Sequence, residues 1–256
     1  MEFVIICFAA LAGSALTLFS GFGLGTLMVP VFGIFFPLPL AIQLTAIVHF
    51  LNNLFKLILV GKNIDFKIAL RFGIPGIIAA FGGAWLLTQM TELPALYSWN
   101  SDQFEITPVK LVIAVLIIFF SLFDLLPRFN RIEFDKKYLV AGGLLSGFFG
   151  GLSGNQGALR SAFLIRSGLS KEAYIATGVF ISCLVDTSRL FMYSDKFIIN
   201  DDSSQQIPLL VAATLSAFAG AYIGNKLVKK MTITFLQQLV GIMLIVFGVL
   251  LGIGII

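Results

Sequence analysis

Residues 147–160 read GFFGGLSGNQGALR, inside a run of apolar residues long enough to enter a lipid bilayer. Five glycines, two amides and an arginine stand where a membrane helix would hold leucines. Glycine is among the poorest helix formers. An arginine at the bilayer centre costs about 2.5–3.5 kcal/mol on insertion scales. The stretch therefore reads as a deliberate break in a membrane-embedded helix. Its surroundings agree: of 256 residues, 58% are hydrophobic and 12% charged, with a mean hydropathy of +1.00. Soluble domains carry about twice that share of charge. Apolar stretches of roughly 20 residues recur along the whole length, as spanning helices require. The expected fold is an all-α polytopic integral membrane protein.

Working outward from the break, the apolar segments fall into two sets. Before the middle lie 3–36, 38–60, 69–90 and 109–126; after it lie 138–167, 171–194, 206–228 and 234–256. The start, MEFVIICFAALAG, lacks a basic region and reads as a retained membrane segment, not a cleaved signal. Three loops are basic: GKNIDFK with Arg71, PRFNRIEFDKK, and NKLVKK. TELPALYSWNSDQFEIT and SDKFIINDDSSQQ are acidic or neutral. The positive-inside rule puts the first three in the cytoplasm and the other two outside. Counting crossings then makes 138–167 a hairpin that enters and returns on the cytoplasmic side. The segment 3–36, broken at SGFGLG, becomes a hairpin from the outside, with both chain termini outside. The location expected is the cell membrane, specifically a bacterial inner membrane.

A shift of 133 places Gly21 on Gly154, His49 on Ser182, Asn53 on Asp186 and Lys56 on Arg189. FGGAW (81–85) matches FAGAY (218–222) once four extra residues are allowed in the outer loop. The expected organisation is thus a first repeat over 1–126, a cytoplasmic linker over 127–137, and a second repeat over 138–256. Each repeat is a glycine-broken hairpin plus three transmembrane helices. That odd number of crossings inverts the second copy, as in secondary transporters.

GFGLGTLMVP (21–30) followed by PLPLAIQLTA resembles the Gly-rich signature of the sulfite exporter TauE/SafE family. GLSGNQGAL (151–159) and SKEAYIATG (170–178) stand at the second copy. The resemblance spans essentially the whole chain. It implies a duplicated membrane architecture and export or permeation of a sulfur-containing anion, such as sulfite or an organosulfonate, without ATP hydrolysis. The family glycines carry over to Gly21, Gly23 and Gly25, and its proline to Pro30; in the second copy only Gly154 and Gly157 carry over. Leu24, Gln156, Ala158 and Phe163 depart from the pattern.

The residues themselves supply a chemistry for such a ligand. A broken helix exposes amide N–H groups and the positive end of its dipole, and that end binds anions. In this reading SGFGLG and SGNQG are opposed half-helix starts cradling an oxyanion, with Asn155 and Gln156 beside them. The alternative is that the glycines serve close helix packing. Arg160 lies on the same face as Gln156, and its fork of donors suits sulfonate; otherwise it snorkels to the cytoplasmic face. Thr45 and Thr177 are candidate minor contributors to the site.

His49, Asn52, Asn53 and Lys56 form one polar stripe on 38–60, matched on 171–194 by Ser182, Asp186 and Arg189. Such stripes face a bundle interior or a water-filled path, so these residues are candidates for gating or coupling. Arg189 pairs with Asp186 in one reading and gates in the other. His49 is a hydrogen-bonding core residue or a proton carrier coupling transport.

Cys7 and Cys183 lie in separate apolar segments and His49 is the sole histidine, so no metal or cofactor site is expected. The net charge of +4 sits in short loops and sets orientation rather than marking a nucleic-acid partner. An intramembrane enzyme would need a nucleophile–base or metal constellation that this sequence does not offer. The leading expectation is a secondary carrier of a small anion; an anion channel of the same architecture is the alternative.

Overall fold

The computed structural model describes residues 1–20, 23–99, 104–125, 133–194, 206–227 and 233–256. Among them the chain forms α1 (Glu2–Ser20), α2 (Leu24–Gly33), α3 (Leu38–Val60), α4 (Phe66–Met90) and α5 (Pro108–Leu125). After residue 133 come α6 (Leu139–Ser153), α7 (Gly157–Leu164), α8 (Lys171–Ser194), α9 (Ile207–Leu227) and α10 (Ile233–Gly252). The protein is an all-α polytopic membrane protein. α3, α4, α8 and α9 are each long and apolar enough to cross a bilayer. The long helices begin and end within about three residues of the segments read from hydropathy.

Local chemistry fixes several helix ends. Proline at the first turn starts α3, where a missing N–H costs nothing. The Asp65 carboxylate caps α4 by accepting from the Ile68 N–H at 2.9 Å. α6 stops where Gly154 adopts φ +78°, a left-handed conformation that only glycine takes cheaply. The quoted stretch is thus a real interruption between α6 and α7. One element differs from expectation: the polar loop after α4 holds a small antiparallel hairpin, β1 (Tyr97–Trp99) with β2 (Phe104–Ile106). The Trp99 ring lies on Phe104, 4.7 Å between centroids.

Small residues let the helices approach backbone to backbone. α6 packs on α4 so closely that a Cβ on Gly147 would strike the Gly76 backbone, and one on Gly151 the Ala80 carbonyl oxygen. α9 packs on α1 in the same manner, Gly220 against Leu11 and Gly224 against Ala15. This is the small-residue packing that replaces hydrophobic collapse inside a membrane. α5 pairs with α10, and α3 crosses α8 at the centre. Exchanging α1–α5 for α6–α10 turns the α4–α6 contact into α9–α1 and the α4–α8 contact into α9–α3. The α3–α8 and α5–α10 contacts map onto themselves.

Candidate functional site

The polar stripes of α3 and α8 face each other across the central crossing. A pocket with about 490 Å³ of empty space, part of it continuous with solvent, is lined by His49, Asn53 and Lys56 of α3. Gly178 and Ser182 of α8, Arg160 and Ser161 of α7, and Gly23 and Leu24 at the start of α2 complete its polar and close-packed walls. His49 stands halfway along α3. From there the lining runs toward the end holding the C-terminus of α3 and the N-terminus of α8, where Tyr174 and Ile175 contribute.

Two cations define this pocket. Arg160 is buried and donates to the Ser182 hydroxyl, which in turn donates to the Gly178 carbonyl oxygen at 3.1 Å. Lys56, 3% exposed, donates to the Asn52 amide oxygen at 3.2 Å. The Asn52 nitrogen donates to the Ala217 carbonyl oxygen at 3.2 Å, with the Ser14 hydroxyl 3.0 Å from the same amide. Asn52 therefore ties α3 to α1 and α9 and steadies Lys56; it does not line the pocket.

Behind His49 lies the one fully buried carboxylate among the described residues, Asp186. Its Oδ2 is 2.6 Å from His49 Nδ1 and accepts from the Asn53 amide at 3.2 Å. Its Oδ1 faces Arg189 Nε at 3.8 Å. Arg189, fully buried, also donates to the Gly150 carbonyl oxygen at 3.2 Å. The Tyr193 hydroxyl donates to the Gly151 carbonyl oxygen at 2.9 Å. Tyr193 thereby satisfies a carbonyl that the break leaves without a helical partner, and Arg189 adds a second donor to the Gly150 oxygen, which also accepts from the Gly154 N–H at 3.0 Å. Lys56, Arg160 and Arg189 against Asp186 leave a formal excess of two positive charges in the buried interior, counting His49 as neutral. Buried charge without a counter-charge is costly unless a ligand supplies one.

The breaks meet, but not symmetrically. A Cβ on Gly25 would lie 3.4 Å from the Gly154 carbonyl oxygen, and one on Gly23 3.2 Å from His49 Nε2. Gly21 lies outside the described residues. α2 points its first turn into the pocket, whereas α7 presents its side, through Arg160, Ser161 and Leu164. Gly154, Asn155, Gln156 and Gly157 are buried and do not line the pocket. Thr45 and Thr177 are fully buried elsewhere; the Thr177 hydroxyl accepts from the Asp65 N–H at 3.0 Å. Thr17, Ser161, Tyr174 and Gly178 line the pocket without having been singled out in the sequence. A four-residue stripe carried back from Asp186 and Ser182 along α8 reaches Gly178 and Tyr174, so that signal was present.

Outside the spanning segments, Glu133 pairs with Arg166 at 2.5 Å and holds the guanidinium pKa above its ordinary value by hydrogen bond and charge. That exposed pair ties the segment before α6 to the end of α7.

A family model described as sulfite exporter TauE/SafE matches residues 5–251. The chain belongs to the TauE/SafE family. No curated protein matches the chain. Membership in TauE/SafE makes it a multi-pass membrane protein of a family of transporters, and a sulfur-containing anion is the coarse class of cargo. A cation-lined pocket at mid-depth, reached from one end of a TauE/SafE helix bundle, is chemically suited to such a cargo.

Proposed function

We propose that this TauE/SafE protein is a secondary carrier of a small sulfur oxyanion or organosulfonate, working by alternating access between two inverted repeats, 1–126 and 138–256. The observation that carries the reading is the joint lining of one pocket by two buried cations, Lys56 and Arg160, with no carboxylate among its lining residues. The start of α2 adds backbone donors and a positive dipole end on the same side. Arg160 supplies paired donors of a geometry that suits a sulfonate or sulfite group, and each hydrogen bond to a charged partner contributes about 1.5–3 kcal/mol. Ser182 and Asn53 supply neutral polar contacts beside them.

The exchange symmetry of the helix contacts supports the repeat assignment, and the charge of the loops supports the orientation. In that orientation the open pocket faces the cytoplasm of a bacterial cell and both termini lie outside. The substrate enters between Lys56 and Tyr174, and the packed layer of His49, Asp186 and Arg189 closes the far side. The chain acts as a carrier rather than an enzyme: its family is one of transporters, and the buried cations of the pocket suit an anion.

Purified protein in proteoliposomes loaded with sulfite tests this. Efflux that saturates with sulfite concentration, without steady ionic conductance, is the expected result. Ohmic conductance would convert the reading to a channel. Absence of sulfite, thiosulfate and sulfonate flux alike would remove it.

A further inference from the structure

Six buried side-chain polar atoms without a hydrogen-bond partner gather on the side of His49 away from the open pocket. They are Asn155 Oδ1, both amide atoms of Gln156, Asp186 Oδ1, and Nε and Nη2 of Arg189. All four residues are at least nine-tenths buried. Buried polar atoms are ordinarily satisfied, so such a cluster calls for a reason. Arg189 and Gln156 converge on Gly150: Arg189 Nη1 bonds its carbonyl oxygen, and a Cβ there would touch Gln156 Cβ at 2.9 Å. A Cβ on Gly154 would lie 3.0 Å from Arg189 Nη1, so the guanidinium rests against the bare backbone of the break.

The positions are not arbitrary. The shift of 133 that aligns the two breaks carries Lys56 to Arg189, Asn53 to Asp186, His49 to Ser182 and Gly23 to Gln156. The four starting residues all line the open pocket. Three of their four images belong to the unpaired cluster or its carboxylate, and the fourth, Ser182, holds Arg160. We propose that Arg189 and Gln156 form a second anion site for the same small oxyanion, used when the carrier opens to the opposite side of the membrane. This rests on the carrier reading above. Each repeat then brings its own cation to the anion, Lys56 in one state and Arg189 in the other, while Arg160 stays near the centre.

In the present state the site is collapsed. Arg189 spends Nη1 on the α6 carbonyl, turns Nε toward Asp186 Oδ1 at 3.8 Å, and leaves Nη2 without a hydrogen-bond partner. Asp186, held through Oδ2 by His49 and Asn53, competes for the guanidinium through Oδ1 at Nε, so Nη2 is the donor left to an anion. The groups facing Arg189 are accordingly Asp186 on its own helix, the Gly150 carbonyl of α6, the Gln156 amide before α7, and His49 with Asn53 from α3. Opening requires α6 and α7 to draw back from α8, which frees Nη2 for a ligand.

The test is sulfite transport in proteoliposomes with sorted protein orientation, measuring KM from each side. Lys56→Gln is expected to raise KM about tenfold or more only from the side of the open pocket, and Arg189→Gln by a similar factor only from the other. Arg189→Lys keeps the charge and loses the fork; should the glutamine variant fail to fold, it takes its place, with a smaller, equally one-sided rise expected. Equal changes from both sides, or none from either, in folded Arg189 variants would assign Arg189 to structure and overturn the second site. Wild-type protein that moves no anion from either side would instead remove the carrier reading beneath it.

Discussion

The two broken hairpins solve one backbone problem with different residues. In the first, Gly23 precedes α2 at φ −82°, an ordinary extended conformation, and the helix start opens on the pocket. In the second, Gly154 sits at φ +78°, Arg189 and Tyr193 donate to carbonyls of α6, and α7 turns its flank inward. The first break therefore offers backbone donors and space beside His49. The second offers a permanent charge, Arg160, on a helix whose start is sealed. The two breaks thus divide the work: one supplies amides and the other Arg160, while Lys56 of α3 adds the second cation. The packing is offset too: Gly220 presses on Leu11 in one half and Gly83 on Phe148 in the other, one helical turn nearer the break.

The largest test of this division is the carboxylate, present in one half and an amide in the other. Asp186→Asn would leave three buried cations uncompensated and should cost about 3–5 kcal/mol of stability, read by thermal melting in detergent. The double variant Asn53→Asp with Asp186→Asn should recover part of that loss; no recovery would show that position matters more than charge. Next in size, Gly147→Ala should cost about 1–3 kcal/mol by overpacking α6 on α4, and Gly220→Ala a similar amount between α9 and α1. A large difference between those two would mean that the halves do not share one packing scheme.

The breaks themselves come third. Gly154→Ala forces a side chain into the left-handed region at about 1–2 kcal/mol and pushes on Arg189. Gly23→Ala carries no such strain, so it should leave the melting temperature nearly unchanged and weaken anion binding through contact with His49. Equal destabilisation by both would erase the contrast. Smallest of all, Glu133→Gln breaks an exposed pair and should leave the melting temperature unmoved.

Much of this was readable from residues alone, and the remainder for identifiable reasons was not. Runs of apolar residues report helices directly, and the breaks at SGFGLG and SGNQG announce themselves through glycine. The stripe from His49 to Lys56 and the charge at Arg160 pointed to the pocket because polar side chains in a membrane helix need an interior to face. The pairing of His49 with Asp186 was not legible, since it joins positions 137 apart in sequence across the central crossing. Periodicity shows which face of a helix is polar but not which residue it meets. The sidedness of α7 was hidden for the same reason: a glycine break says that amides are freed, not where they aim. The β1–β2 hairpin has only three residues per strand, too few for alternation to stand out.

The proposed function turns on whether Arg160 and its pocket bind a sulfur oxyanion. The most direct measurement is the thermal stability of purified protein in detergent with sulfite, sulfate, thiosulfate, taurine, sulfoacetate or chloride, for wild type and Arg160→Ala. A ligand at a hundred times its Kd stabilises by about 2.7 kcal/mol. A selective upward shift with a sulfur anion is expected in wild type, and its loss in Arg160→Ala. The same shift in both proteins, or none in wild type with any anion, would contradict this reading.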